Sequence, residues 1–115
     1  MKILVIEDNP DIKEVLDYIL SDEGHEAIQC SDGSSLTSLD QLKPDIVLID
    51  EILGSVRGSD LIKKLKADEN TRPIPVVLIS AMPNLEDIAR KSGADAFLEK
   101  PFNIDNLTDI IKRLS

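Results

Sequence analysis

A chain of 115 residues, 42% hydrophobic and 30% charged, is the size of one domain (residues 1–115) with its own core, and it reads as globular rather than disordered. Its net charge of −9 and its three aromatic side chains, Tyr18, Phe97 and Phe102, argue against direct nucleic-acid binding: phosphates would be repelled and bases would find no stacking platform. A lone cysteine, Cys30, rules out an intrachain disulfide, and no stretch reads as a membrane span or secretory signal, so a reducing, cytoplasmic location is expected.

The first apolar run, residues 2–6, is short and aliphatic and is followed at once by Glu7 and Asp8. Asn9 then suits a helix cap and Pro10 the first helical position. Ile12, Val15, Leu16, Ile19 and Leu20 fall on one face of the helix that follows, and Gly24 ends it. His25 is read as an exposed turn residue without a role, and Tyr18 and Met82 as packing residues. A second, weaker run covers residues 27–30. A helix is predicted over residues 34–42, with Leu36, Leu39 and Leu42 inward.

The third apolar run, residues 45–49, leads into Asp50 and Glu51. A helix over residues 59–67 uses Leu61, Ile62 and Leu65. The fourth run, residues 76–79, ends at Ser80. A helix over residues 85–92 stops at Gly93. The fifth run, residues 96–98, leads to Lys100 and Pro101, and a last helix over residues 104–114 turns Leu107, Ile110, Ile111 and Leu114 inward. Short aliphatic runs alternating with amphipathic helices predict a doubly wound parallel α/β sheet, with the weaker second and fifth strands at its edges.

Such sheets carry their functional crevice at the carboxyl ends of the strands. That rim would gather Glu7, Asp8, Asp50, Ser80 and Lys100. Crowded carboxylates repel one another, and a cation relieves the repulsion. Oxygen ligands with no histidine or cysteine favour a hard ion such as magnesium or calcium. Magnesium shares its sites with phosphate oxygens, Lys100 and Ser80 can meet such oxygens, and an aspartate is a competent nucleophile toward phosphorus.

Four segments, residues 3–9, 44–50, 76–81 and 93–102, lie in order at a spacing that resembles the receiver domains of response regulators in two-component signalling, along essentially the whole chain. The resemblance implies a flavodoxin-like fold, with five strands in the order 2-1-3-4-5 and five helices. It places Asp50 at the phosphoacceptor position and implies a magnesium ion held by Glu7, Asp8, Asp50 and the Ile52 carbonyl. Ser80 matches the hydroxyl that contacts the phosphoryl group and Lys100 the lysine that pairs with it. The bond before Pro101 is expected to be cis, and Phe97 matches the aromatic position that reports activation. The implied donor is a sensor histidine kinase or histidine phosphotransfer protein. The implied output is a remade face formed by the fourth helix, fifth strand and fifth helix, where Arg90, Lys91, Lys112 and Arg113 are candidates for a partner or homodimer patch. Self-phosphorylation and slow self-dephosphorylation are expected, without turnover of an external substrate.

Two positions depart from the family pattern. Gly54 stands where many receivers have proline, which suggests a mobile segment over residues 54–58, and Pro83 would stiffen the loop after the fourth strand. Among competing readings, an aspartyl-phosphate hydrolase would carry a second aspartate where this chain has Ile52. A flavin carrier would need a phosphate loop where Glu7 and Asp8 stand. A degenerate receiver used only for docking would not have every site position filled.

Overall fold

The computed structural model describes residues 1–30 and 39–115. In chain order the elements are β1 (Lys2–Ile6), α1 (Pro10–Asp22), β2 (Glu26–Cys30), α2 (Leu39–Leu42), β3 (Ile46–Asp50), β4 (Ile52–Leu53), β5 (Val56–Arg57), α3 (Gly58–Ala67), β6 (Val76–Ser80), α4 (Leu85–Ser92), β7 (Ala96–Glu99) and α5 (Ile104–Leu114). Residues 34–38 of the predicted second helix, Leu36 among them, lie outside the described residues.

Five strands form one parallel sheet in the order β2-β1-β3-β6-β7, which is the doubly wound topology expected, with the two weaker strands at its edges. The three central strands are buried on both faces, which explains their unbroken aliphatic sequences. Alternation along each strand divides the core in two. Ile3, Val5, Leu48 and Ile79 pack with Leu16 and Leu20 of α1 and Leu107 and Ile111 of α5. Leu4, Ile6, Val47 and Leu78 pack on the other face with Leu39 of α2, Ile62 and Leu65 of α3 and Leu85 of α4. Each aliphatic side chain fully withdrawn from water contributes about 1.5–3 kcal/mol.

The helix ends follow their local chemistry. The Asn9 side chain accepts from the amides of Asp11 and Ile12, with Pro10 in the first turn. Gly93 closes α4 in the left-handed region at φ 89°.

The structure corrects the sequence reading at several points. Residues 52–57, for which the sequence predicts no element, are an antiparallel hairpin pairing Ile52 with Arg57 and Leu53 with Val56. The packing face of α1 is narrower than the sequence implied. Leu16, Ile19 and Leu20 are buried, whereas Val15 is 50% exposed; Tyr18, read as a packing residue, is 71% exposed on the outer side of the helix. His25 is half-buried, with its Nδ1 3.1 Å from the amino terminus, so it is neither exposed nor without a partner. Among the described residues, no helix is long and apolar enough to cross a membrane.

Candidate functional site

The strand register carries the site residues to one rim. Glu7 extends β1 by donating its amide to the Cys30 carbonyl at 3.0 Å, and Asp50 closes β3 in register with Ile79. Ser80 closes β6 opposite Glu99, and the next amide, Lys100, donates to the Ser80 carbonyl at 2.9 Å. The Lys100–Pro101 peptide is cis.

Three carboxylates from two strand ends meet here. Oxygen atoms of Glu7, Asp8 and Asp50 all lie within 4.8 Å of one another. Glu7 and Asp50 are buried and Asp8 is exposed. The Lys100 ammonium enters from β7, 2.8 Å from Asp50 Oδ1 and 3.1 Å from Glu7 Oε2. Backbone donors complete the set: the Asn9 amide reaches Glu7 Oε1 at 3.1 Å and the Ile52 amide reaches Asp50 Oδ2 at 3.2 Å. The Ser80 hydroxyl is buried on the same rim and accepts from the Met82 amide at 3.0 Å.

The electrostatics follow from burial and neighbours. Burial, reinforced by the charge of Asp50, pushes the Glu7 carboxyl above its ordinary range, although the Asn9 amide and Lys100 pull the other way. Burial alone would lower Lys100. The hydrogen bonds and charges of Asp50 and Glu7 outweigh it and hold the ammonium above the ordinary lysine range. Three carboxylates face one ammonium in a partly buried corner, so acidic groups outnumber the cation and any residual charge is negative. An all-oxygen donor set with that residual charge fits a hard divalent cation.

Phe97 does not join this cluster. It lies on β7 in register with Leu78, is 39% exposed, and lines two shallow surface cavities, one toward α5 and one toward α4. In the basic patch expected nearby, Arg90 and Lys91 both reach back to Asp87 on their own helix.

Sequence reasoning missed what lies on the far side of the Asp50 backbone. Glu51 is buried, with Oε1 2.7 Å from the Ser59 amide and Oε2 2.9 Å from the Ser59 hydroxyl. Gly58 donates its amide to the Glu51 carbonyl at 2.9 Å. The available signal was the triplet Gly58-Ser59-Asp60 ahead of an apolar helical stretch, a helix start in need of a cap.

The sequence model of the response regulator receiver domain matches residues 3–112. The phosphate regulon transcriptional regulatory protein PhoB of Escherichia coli (strain K12) is 36% identical over 114 residues, covering 96% of this chain and 50% of that protein. The chain thus spans about half the length of the curated relatives it matches. Among solved structures, the receiver domain of NtrX from Brucella abortus superposes with a TM-score of 0.87 at 36% identity, covering 97% of this chain and 96% of that one. The receiver domain of sensor histidine kinase PA1611 from Pseudomonas aeruginosa, described with a magnesium ion in its active-site cleft, gives a TM-score of 0.88 at 27% identity, covering 98% and 95%.

Proposed function

The chain belongs to the response regulator receiver domain family, and from that premise we propose that Asp50 is the phosphoacceptor of a signalling switch charged by a sensor histidine kinase or histidine phosphotransfer protein. The observation that carries this reading is the convergence of Glu7, Asp8 and Lys100 on the Asp50 carboxylate at the carboxyl end of the sheet. A carboxylate oxygen of Asp50 attacks the phosphorus of a phosphohistidine. The new O–P bond forms as the N–P bond breaks, and the electron pair returns to the donor's imidazole. Glu7, Asp8, Asp50 and the Ile52 carbonyl would hold magnesium, which supplies neutralising charge to the transferring phosphoryl oxygens.

The chain's own groups do the remaining work. Lys100 is already charged and in contact with the acceptor, so it screens the incoming phosphoryl oxygens and then pairs with the aspartyl phosphate. The Ser80 hydroxyl accepts from Met82 and keeps its own hydrogen to donate to the phosphoryl group. Engagement of Ser80 draws in the loop that follows β6, and Phe97 reports that movement to the face formed by α4, β7 and α5, our candidate surface for a target or a second copy. A histidine-kinase donor places the domain in the cytoplasm.

The test is incubation with acetyl phosphate and magnesium chloride, read by intact mass. One phosphate adduct in the wild type, absent in Asp50→Ala, is the expected result. An adduct that survives Asp50→Ala would overturn the assignment. Sustained release of phosphate from ester substrates would favour a hydrolase instead.

A further inference from the structure

Successive side chains of a strand point to opposite faces. Asp50 therefore turns to the carboxylate cluster and Glu51 turns the other way, under the start of α3. A carboxylate taken out of water loses its hydration, which destabilises the fold unless donors replace the water. Ser59 supplies two, its amide at 2.7 Å and its hydroxyl at 2.9 Å. The N-terminal end of α3 adds favourable helix polarity. Arg57, the residue preceding α3, makes no side-chain cap bond, so Glu51 caps this helix from outside it.

The bonds around Glu51 form a latch. Its amide donates to the Ile79 carbonyl at 2.9 Å, its carbonyl accepts from Gly58 at 2.9 Å, and its side chain grips Ser59. Residue 51 is thus fixed to β6 on one side and to α3 on the other, and the β4–β5 hairpin becomes a closed loop between the two clamped ends. Both neighbours of Glu51 face the site: Asp50 through its carboxylate, and Ile52 through the amide that donates to Asp50 Oδ2.

We propose that Glu51 is a positioning residue for phosphoryl transfer, holding the Asp50 carboxylate and the Ile52 backbone in register for the metal by locking the peptide between them to the first turn of α3. The proposal rests on the phosphoacceptor reading given above. It gives an ionisable residue at a buried position a task that an apolar residue could not perform, because only an acceptor can hold both Ser59 donors.

The probe is magnesium chloride alone, titrated into the full chain and followed by amide NMR shifts, with thermal unfolding of the metal-free protein alongside. Glu51→Leu fills the space but orphans the Ser59 amide, and it is expected to weaken magnesium binding about tenfold, as loss of groups supporting a metal site commonly does. In Glu51→Gln the amide oxygen still accepts from Ser59 and the amide nitrogen donates to its hydroxyl, so affinity should stay within about twofold of wild type. Ser59→Ala removes one bond and should cost about threefold. Leu65→Ala, a core truncation on α3, destabilises the fold without touching the latch and should leave magnesium affinity unchanged. Wild-type affinity in folded Glu51→Leu, or equal weakening in Leu65→Ala, overturns the proposal. If Glu51→Leu does not fold, unchanged affinity in Ser59→Ala does the same. A wild type that binds no magnesium fails the phosphoacceptor reading itself, so the two failures are told apart by the wild-type titration.

Discussion

The Lys100 ammonium stands 2.8 Å from Asp50 Oδ1 and, on its other side, 3.1 Å from Glu7 Oε2. Residues 93 positions apart in the chain are thereby tied across the mouth of the sheet. One cation serves two buried carboxylates, so the fold and the proposed phosphoryl transfer draw on the same charge.

Removing that cation leaves Asp50 and Glu7 facing each other with only backbone donors between them and water. Lys100→Ala is expected to lower metal-free stability by about 2 kcal/mol at neutral pH, less than for a fully buried pair because the ammonium is partly hydrated. Saturating magnesium chloride should return much of the loss, because a divalent cation replaces the missing charge. Urea unfolding with and without magnesium measures both. An unchanged midpoint in the metal-free variant would show that the ion pair contributes nothing to the fold.

The raised Glu7 carboxyl gives a signed pH dependence. Its unfolded value lies near 4.5 and its folded value lies above that. Between the two, the folded chain binds more protons than the unfolded chain. The contribution is fully present below the unfolded value and is lost as pH rises through the folded one. Magnesium acts in the opposite sense, since it requires the ionised carboxylate and must displace the proton. The shift in Tm caused by magnesium chloride should therefore grow as pH rises from about 4.5 toward about 7. Glu7→Gln should remove Glu7's share of that slope. A magnesium shift that shrinks with rising pH would contradict the assignment of Glu7.

Most of the rim was legible because Glu7, Asp8, Asp50 and Ser80 lie at the ends of strands that the sequence marks plainly, whereas Lys100 follows a weaker run and was placed by the resemblance of residues 93–102. Residues 3–6, 46–49 and 76–79 are unbroken aliphatic runs, and a strand buried on both faces leaves no other pattern. Asn9 with Pro10, and Gly93, announced helix ends through local backbone chemistry alone. The hairpin over residues 52–57 was not legible, since two-residue strands are too short to show a period. Glu51 escaped for a different reason. A glutamate is rarely buried without a partner, and its partner Ser59 stands eight residues away, beyond any local pattern. Val15 was misplaced because the periodicity of α1 fixes a direction but not the width of the face that the sheet covers.

The glycines in the hairpin turn and at its exit separate conformational need from spatial need. Gly54 sits at φ 64°, and a Cβ there would meet nothing within 4 Å, so its requirement is conformational only. Gly54→Ala should cost about 1–2 kcal/mol, the left-handed penalty for a residue with a Cβ. Gly58 is different. A Cβ there would lie 2.1 Å from the Asp50 carbonyl oxygen, a backbone atom that cannot rotate away. Gly58→Ala must push α3 off the strand or displace the Asp50–Glu51 peptide, at about 3 kcal/mol, the upper part of the usual overpacking range. Because the displaced peptide carries Asp50, the proposed phosphoacceptor, Gly58→Ala should also slow modification by acetyl phosphate at saturating magnesium, while Gly54→Ala leaves that rate near wild type. Urea midpoints and initial rates of adduct formation, measured on both variants, test the distinction. Equal rates in the two would mean that the close approach of α3 to β3 serves stability alone.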